Sequence, residues 1–470
     1  MFLAGIFAAL GILWLVFPAD GIAAGPLTLR YSSYKGMLRD ANERKVNVDS
    51  VLTAAQERFR MHDDTLAFYR AFFFENPDRI QLPEDDYTFF DPLWRQLEVA
   101  AGRDNTVRVL HYGDSQIEMD RISADLRAGL QERFGGSGPG FFPVIGNVPS
   151  ATVSKSASGG FTHYTMYGDS TTSRAGHNRY GPMAQVVQLY GGGTLTIRPS
   201  KSKTAPESVK SFSSVSVLYG RPSSDFSIKV TADTTGAQVS TETGENGTTL
   251  MSWHFPRPLA RATVQFAGSA EIYGVSADAD GGVAVDNVPL RGCSGTIFTR
   301  ISKPLMEESL AMEDVRLIIL QFGGNYMPVA GKLKNIEQYQ ERIAEQIRYF
   351  KELAPQAKIL FIGPSDMGKS VKGRIQTWPN LPQMVDSLRS TALSEGAAFW
   401  DLFRMMGGEN SMVQWVKHNP ALAGPDYIHF TPAGAHEVGD ALTRSLLTYY
   451  DFYRLRKTVP ESRVRRAFDR

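Results

Sequence analysis

The chain has 470 residues, 42% of them hydrophobic and 21% charged, which rules out both a small binding module and a globally disordered polymer. At about 150 residues per domain the length predicts roughly three structural units. Fifty Lys and Arg against 49 Asp and Glu leave a formal charge of +1, so no global field argues for nucleic acid as a partner. The single cysteine, Cys293, excludes an intramolecular disulfide framework and a cysteine-rich metal site.

Residues Met1 to Ala19 carry no charge. As a helix, the apolar run to Phe17 would be about 26 Å long, close to the roughly 30 Å hydrocarbon core of a bilayer. Residues 1–24 are therefore expected to be a signal peptide or a membrane anchor, with the protein in the periplasm or cell envelope. Arg30, Lys35 and Arg39 follow the run, an arrangement the positive-inside rule sets against export. Residues 25–104 read as an N-terminal helical segment. It contains a helical pattern from Ser50 to Phe74 and a second helix opened by Asp91-Pro92 and closed at Gly102.

Thr106 to Tyr112 (TVRVLHY) predicts a buried strand, and Ile117, Ile122, Leu126 and Leu130 then space as a helix that Gly135-Gly136 ends. Residues 148–181, crowded with Ser, Thr and Gly, predict a long loop or linker. Short β-type runs follow at Val186–Tyr190, Thr194–Arg198, Val215–Tyr219, Phe226–Val230, Thr263–Phe266 and Glu271–Val275, with no helical period between them. They predict an all-β sandwich inserted at residues 151–275 and separable from its host. Strand–helix alternation then returns. Val315–Phe322, Lys358–Gly363 and Ala397–Leu402 are the strands; Ile336–Leu353, Met384–Leu393 and Pro432–Tyr449 are the helices. Such alternation predicts an α/β host, residues 105–150 and 276–452, with a parallel sheet and helices on both faces. Residues 453–470 form a basic tail expected to be solvated.

Ligands of such sheets sit beyond the carboxyl ends of the strands. Ser115, in HYGDSQIE, stands at one of these ends. Its hydroxyl is suited to nucleophilic attack and its N–H, at a helix N-terminus, to an oxyanion, although a serine there also reads as a plain cap. A serine needs a base, and a base needs a carboxylate to fix its tautomer. His429 and Asp426 supply both from one loop, GPDYIHFTPAG, in which Asp426 could equally make an Asx turn. His111 is expected to pack beside its strand, and His436 falls on the last helix. Asn325, in Gly323-Gly324-Asn325 directly after the Val315–Phe322 strand, offers an amide donor or merely a turn. A second GDS triplet, Gly168-Asp169-Ser170, lacks a preceding strand and a following helix.

In order and spacing, these blocks resemble the SGNH (GDSL-like) hydrolase family over residues 106–140 and about 285–450. The resemblance implies a flavodoxin-like α/β sandwich and no cofactor or metal. It also implies a Ser115–His429–Asp426 triad and an oxyanion hole of Ser115, Gly295 and Asn325, with Gly292 as the alternative glycine. Glu118 and Asp120, in QIEMDR, would oppose negative charge building on a substrate. The interrupted host looks like peptidoglycan O-acetylesterases, whose insert resembles a carbohydrate-binding module, and like membrane-anchored partners of membrane-bound O-acyltransferases. The implied substrate is an acetylated envelope polysaccharide or peptidoglycan. Three functions stay open: O-acetylesterase, O-acetyltransferase and noncatalytic glycan-binding protein. Tyr219, Trp253, Trp378 and Trp415 are candidate sugar platforms or simple packing.

Overall fold

The computed structural model describes residues 2–18, 20–25, 27–29, 31–35, 64–102, 105–146, 148–168, 173–202, 205–232, 238–242 and 247–468. Asp169 and Ser170, and the part of the expected Ser50–Phe74 helix before residue 64, lie outside the described residues.

The chain divides into two units. The first, residues 1–70 and 462–470, contains the helix Phe2–Val16 and a two-stranded antiparallel pair, Ile22–Ala24 with Leu27–Leu29. Phe2, Phe7 and Leu15 of that helix are exposed. Among the described residues no helix is long and apolar enough to cross a membrane. The basic tail is helical: the last long helix, Pro432–Arg456, runs into it, and Glu461–Phe468 forms a further helix.

The second unit, residues 71–461, is built on a six-stranded sheet. Its order is Gly282–Pro289, Thr106–Gly113, Val315–Gln321, Lys358–Ile362, Ala398–Trp400, Ile80–Gln81, all parallel except the last pairing. The predicted parallel sheet is present, with an unforeseen parallel edge strand at Gly282–Pro289 and an antiparallel one at Ile80–Gln81. Every residue of Thr106–Gly113 after Thr106 is buried, as expected of a central strand covered on both faces. Successive side chains serve opposite layers. Tyr112 packs on Phe298 and Phe350, whereas His111 faces Ser123 on the helix Ser123–Phe134.

The predicted helix from Ile117 is interrupted. Ser115–Asp120 is a short 3₁₀ turn, Met119, Asp120 and Ile122 take positive φ, and the α-helix begins only at Ser123. Ser115 thus stands on a tight turn ahead of that helix.

A nine-stranded antiparallel sheet spans Gly140 to Asp278, beginning before and ending after the expected 151–275 limits. The expected loop at 148–181 contains a thirteen-residue strand, Val153–Thr165, paired along Gln185–Pro199. Its Ser, Thr and Gly residues alternate with half-buried ones on a two-sided ribbon, a pattern with little hydrophobic signal. Gln185–Pro199 pairs with Ala270–Asp278 before Gly191–Gly193 and with Ala262–Ala267 after it, so one strand passes between two strand groups. Val187, Leu195, Val215, Val217, Ile228 and Val264 lie in the core of this region.

The insertion and host are not separately packed. One buried cluster joins Tyr112, Phe298 and Phe350 of the host to Met166, Tyr180, Met183 and Tyr273. Tyr167 Oη donates to Pro289 O at 3.1 Å, and Ser302 N donates to Asn178 O at 2.9 Å.

Candidate active site

Four chain segments end at the carboxyl edge of the parallel sheet and enclose a cavity of about 190 Å³. Ser115, Asn325, Gly363, Trp378 and His429 are among its walls. The nucleophile turn follows Gly113, where the Asp114 carboxylate accepts from Gln116 N at 3.0 Å and so closes the 3₁₀ turn. Ser115 Oγ lies 2.9 Å from His429 Nε2, and His429 Nδ1 lies 2.7 Å from Asp426 Oδ2. This pattern requires the tautomer in which Nδ1–H donates to Asp426 and Nε2 accepts from Ser115.

Asp426 is held by its own loop, accepting from Ile428 N at 3.0 Å and His429 N at 3.1 Å on Oδ1. It therefore makes the Asx-type turn and the histidine contact together. Its partial burial pushes its pKa up, but hydrogen bonds from the His429 ring and from these two amides outweigh that and hold it below the ordinary value. The loop is closed by Gly424 N on His429 O at 2.8 Å, and the next helix starts at Pro432, with Thr431 Oγ1 accepting from Gly434 N at 3.2 Å.

Asn325 lines the cavity, but its amide is already engaged. Nδ2 donates to Asp114 Oδ2 at 2.8 Å and to Cys293 O at 3.2 Å. Burial pushes Asp114 up to about 6, against the lowering influence of the Gln116 amide, His429 and Asn325. Gly295 sits behind Phe322, its N–H directed at Cys293 Sγ at 3.3 Å, and Gly292 is exposed. Neither glycine lines the cavity.

Two residues that sequence reasoning did not single out tie the nucleophile turn to the histidine loop. Gln116 Nε2 donates to Ile428 O at 2.7 Å. Arg121 donates to Ser115 O at 2.8 Å and to Phe430 O at 3.0 Å. Their partners are backbone carbonyls more than 300 positions away or on a turn, and nothing in a motif marks such contacts. The expected repulsion from Glu118 and Asp120 is offset, because Glu118 pairs with Arg291 and Asp120 with Arg127.

The remaining histidines lie elsewhere. His111 is buried between Gln321 and Ser123, and burial lowers its pKa to about 4. His436 does have a carboxylate partner, Asp125 at 2.7 Å, on the helical face of the host. Of the four aromatic candidates, Tyr219 and Trp253 are core residues of the antiparallel region, and Trp415 packs on Phe430. Only Trp378 faces the cavity.

Residues 265–436 match the GDSL-like Lipase/Acylhydrolase family. Among solved structures, this chain is similar to a peptidoglycan O-acetylesterase, with a TM-score of 0.61 and 22% identity over 78% of this chain and 96% of that one. That likeness is one of fold. An acetyl xylan esterase matches at 16% identity over 35% of this chain and 81% of its own, with a TM-score of 0.27. A family two carbohydrate esterase from Cellvibrio japonicus matches at 12% identity over 64% and 99%, with a TM-score of 0.25. No match was found among curated proteins.

Proposed function

Because the chain carries a GDSL-like acylhydrolase domain, we propose that it is an exported serine esterase that removes O-acetyl groups from a cell-envelope carbohydrate. The observation that carries the reading is the unbroken relay from Ser115 Oγ through His429 to Asp426, opening on a cavity of about 190 Å³. Ser115 Oγ attacks the acetyl carbonyl carbon while His429 Nε2 takes its proton, and the carbonyl oxygen becomes the oxyanion. Ser115 N–H and the amide of Asn325 are the donors this scheme assigns to that oxygen. Asn325 must then shift a hydrogen bond away from Asp114 or Cys293. The C–O bond to the sugar breaks, His429 protonates the departing sugar oxygen, and acetyl-Ser115 remains. Water, deprotonated by His429, attacks the acetyl group and releases acetate and free Ser115.

The half-exposed Asp426 stays ionised through these steps and stabilises the imidazolium without taking its proton. The peptidoglycan O-acetylesterase named above shares this fold, which supports an acetylated glycan as substrate. The uncharged N-terminal run and its helix Phe2–Val16 support export.

The test is acetate release from O-acetylated peptidoglycan and O-acetylated polysaccharides by the purified full chain and by Ser115→Ala. The wild type is expected to release acetate, and the variant, with an unchanged melt, to lose at least about 10⁴-fold in kcat. Acetate release that survives Ser115→Ala overturns the mechanism. Acetyl transfer to an added oligosaccharide in place of acetate release overturns hydrolysis as the reaction.

A further inference from the structure

A small antiparallel hairpin, Gly368–Val371 with Arg374–Thr377, stands between Met367 and Trp378, both of which line the cavity that holds Ser115. Its two faces differ in chemistry. Directly paired residues of an antiparallel ribbon lie on the same face, and successive residues of one strand on opposite ones. The register Gly368↔Thr377, Lys369↔Gln376, Ser370↔Ile375 and Val371↔Arg374 therefore groups Gly368, Ser370, Ile375 and Thr377 on one side. Lys369, Val371, Arg374 and Gln376 share the other.

The first face is committed to the catalytic loop. Gly368 N donates to Tyr427 O at 2.7 Å, between Asp426 and His429 in sequence. A Cβ at Gly368 would stand 2.6 Å from Tyr427 Cβ and 2.9 Å from Ile375 Cγ2, so only glycine lets the ribbon sit this close. Thr377 fixes the far strand, with Thr377 N donating to Asn410 Oδ1 at 3.2 Å and Asn410 N to Thr377 Oγ1 at 2.6 Å. The hairpin is thus docked to the histidine loop and cannot turn its faces over.

Among the described residues the second face makes one contact of its own, Lys369 on the Trp378 ring, and no ion pair. Lys369, Arg374 and Gln376 are exposed, and Lys369 Nζ lies 4.5 Å from the ring centre of Trp378, which places this face on Trp378's side of the hairpin. No Asp or Glu occurs from Met367 to Val385, although the segment holds Lys369, Lys372 and Arg374. Among the described residues none of these three forms an ion pair with a carboxylate. In a chain whose formal charge is only +1, three cations without a carboxylate partner stand on one hairpin, and the residues that flank it, Met367 and Trp378, line the cavity.

We propose that this face is a substrate-recognition rim for an anionic glycan. Lys369 leaves its place over the Trp378 ring to bind, with Arg374, an anionic substituent, either a carboxylate or a phosphodiester, and Trp378 then stacks on the sugar ring that carries the substituent or on its neighbour. Arg374 suits a bidentate contact with either group, and Gln376 adds an amide for a hydroxyl. The carbohydrate ring gains the apolar face of the indole, while the charge selects the polymer. This inference rests on the O-acetylesterase reading for its substrate and adds the charge class that reading leaves open.

The test compares three O-acetylated polymers of matched acetyl content: a polyuronate, a sugar-phosphate polymer and neutral xylan. For the wild type, kcat/KM on one anionic polymer is expected to exceed that on xylan about tenfold or more, with the advantage shrinking as salt is raised. Lys369→Ala/Arg374→Ala is expected to bring the ratio towards one through KM, and Lys369→Glu/Arg374→Glu to invert it. Whichever anionic polymer shows the effect identifies the group recognised. Equal kcat/KM on all three, or a double variant that keeps the wild-type ratio, overturns the proposal. Binding of the same polymers without acetyl groups, followed by affinity electrophoresis, separates the two readings. Rim-dependent retention of the anionic polymer with no acetate release sinks the esterase reading alone. Acetate release with retention that is indifferent to charge sinks the rim alone.

Discussion

The matched glycines beside the cavity allow backbone strain and steric fit to be told apart. Gly292 and Gly295 have nearly the same backbone conformation, φ +73° and +76°, so replacement by Ala costs each position a similar left-handed penalty of about 1–2 kcal/mol. Their surroundings differ. A Cβ at Gly292 meets nothing within 4 Å, whereas one at Gly295 would stand 2.5 and 2.6 Å from Phe322 Cγ and Cδ2. Phe322 is buried beside Phe298, and overpacking at such a site costs roughly 1–3 kcal/mol more. Gly295→Ala is therefore expected to lose roughly 2–5 kcal/mol and Gly292→Ala roughly 1–2 kcal/mol. The displaced ring directly precedes Gly323-Gly324-Asn325, so Gly295→Ala is also expected to lower kcat on a small aryl acetate while Gly292→Ala keeps most of it. Thermal melts of both variants and their kcat values form the assay. Equal destabilisation at the two positions, or a larger kcat loss at Gly292, would refute the argument and make Gly292 the glycine that matters.

Asn325→Ala is expected to reduce kcat about 10²–10³-fold with little change in KM, because a donor to the oxyanion acts in the transition state; a KM effect with normal kcat would make Asn325 a ground-state contact. Arg108 is enclosed by Asp278, Asp286 and Glu313, and burial pushes Glu313 up to about 7 and Asp286 up to about 6 despite that arginine. A carboxyl whose folded pKa is raised binds more protons in the native state. This contribution to stability is therefore fully present below the ordinary carboxyl values of 3.8 and 4.5 and is lost as pH rises through about 7. Glu313→Gln should accordingly gain in melting temperature relative to wild type between pH 5 and pH 8; a difference that stays flat or falls over that window contradicts the shift. Excision of residues 151–275 is expected to abolish the cooperative melt, because it removes Met166, Tyr180, Met183 and Tyr273 from the cluster that buries Tyr112 and Phe298. A folded deletion variant would show that the host core closes without them.

What could be read from the chain alone is what local physics constrains. An apolar run that must be central, TVRVLHY, ends in a turn that needs small polar residues, and this marks Ser115. A three-residue spacing lets Asp426 accept from two loop amides while reaching the His429 ring, so that pair also announces itself within one short segment. The strand–helix alternation carried the parallel sheet for the same reason, since each buried strand is a short apolar run. Contacts set by distant segments were not legible. The Asn325 amide is held by Asp114 across 211 positions, and Gln116 reaches the histidine loop across 312. The ribbon Val153–Thr165 carried no hydrophobic alternation to reveal it, because half-exposed Ser, Thr and Gly suffice where a partner strand supplies the hydrogen bonds. Tyr219, Trp253, Trp378 and Trp415 are equivalent as letters. Only the packing of the folded chain buries Tyr219 and Trp253, seats Trp415 on Phe430 and leaves Trp378 facing the cavity, because an aromatic ring's role depends on which of its faces the rest of the molecule covers.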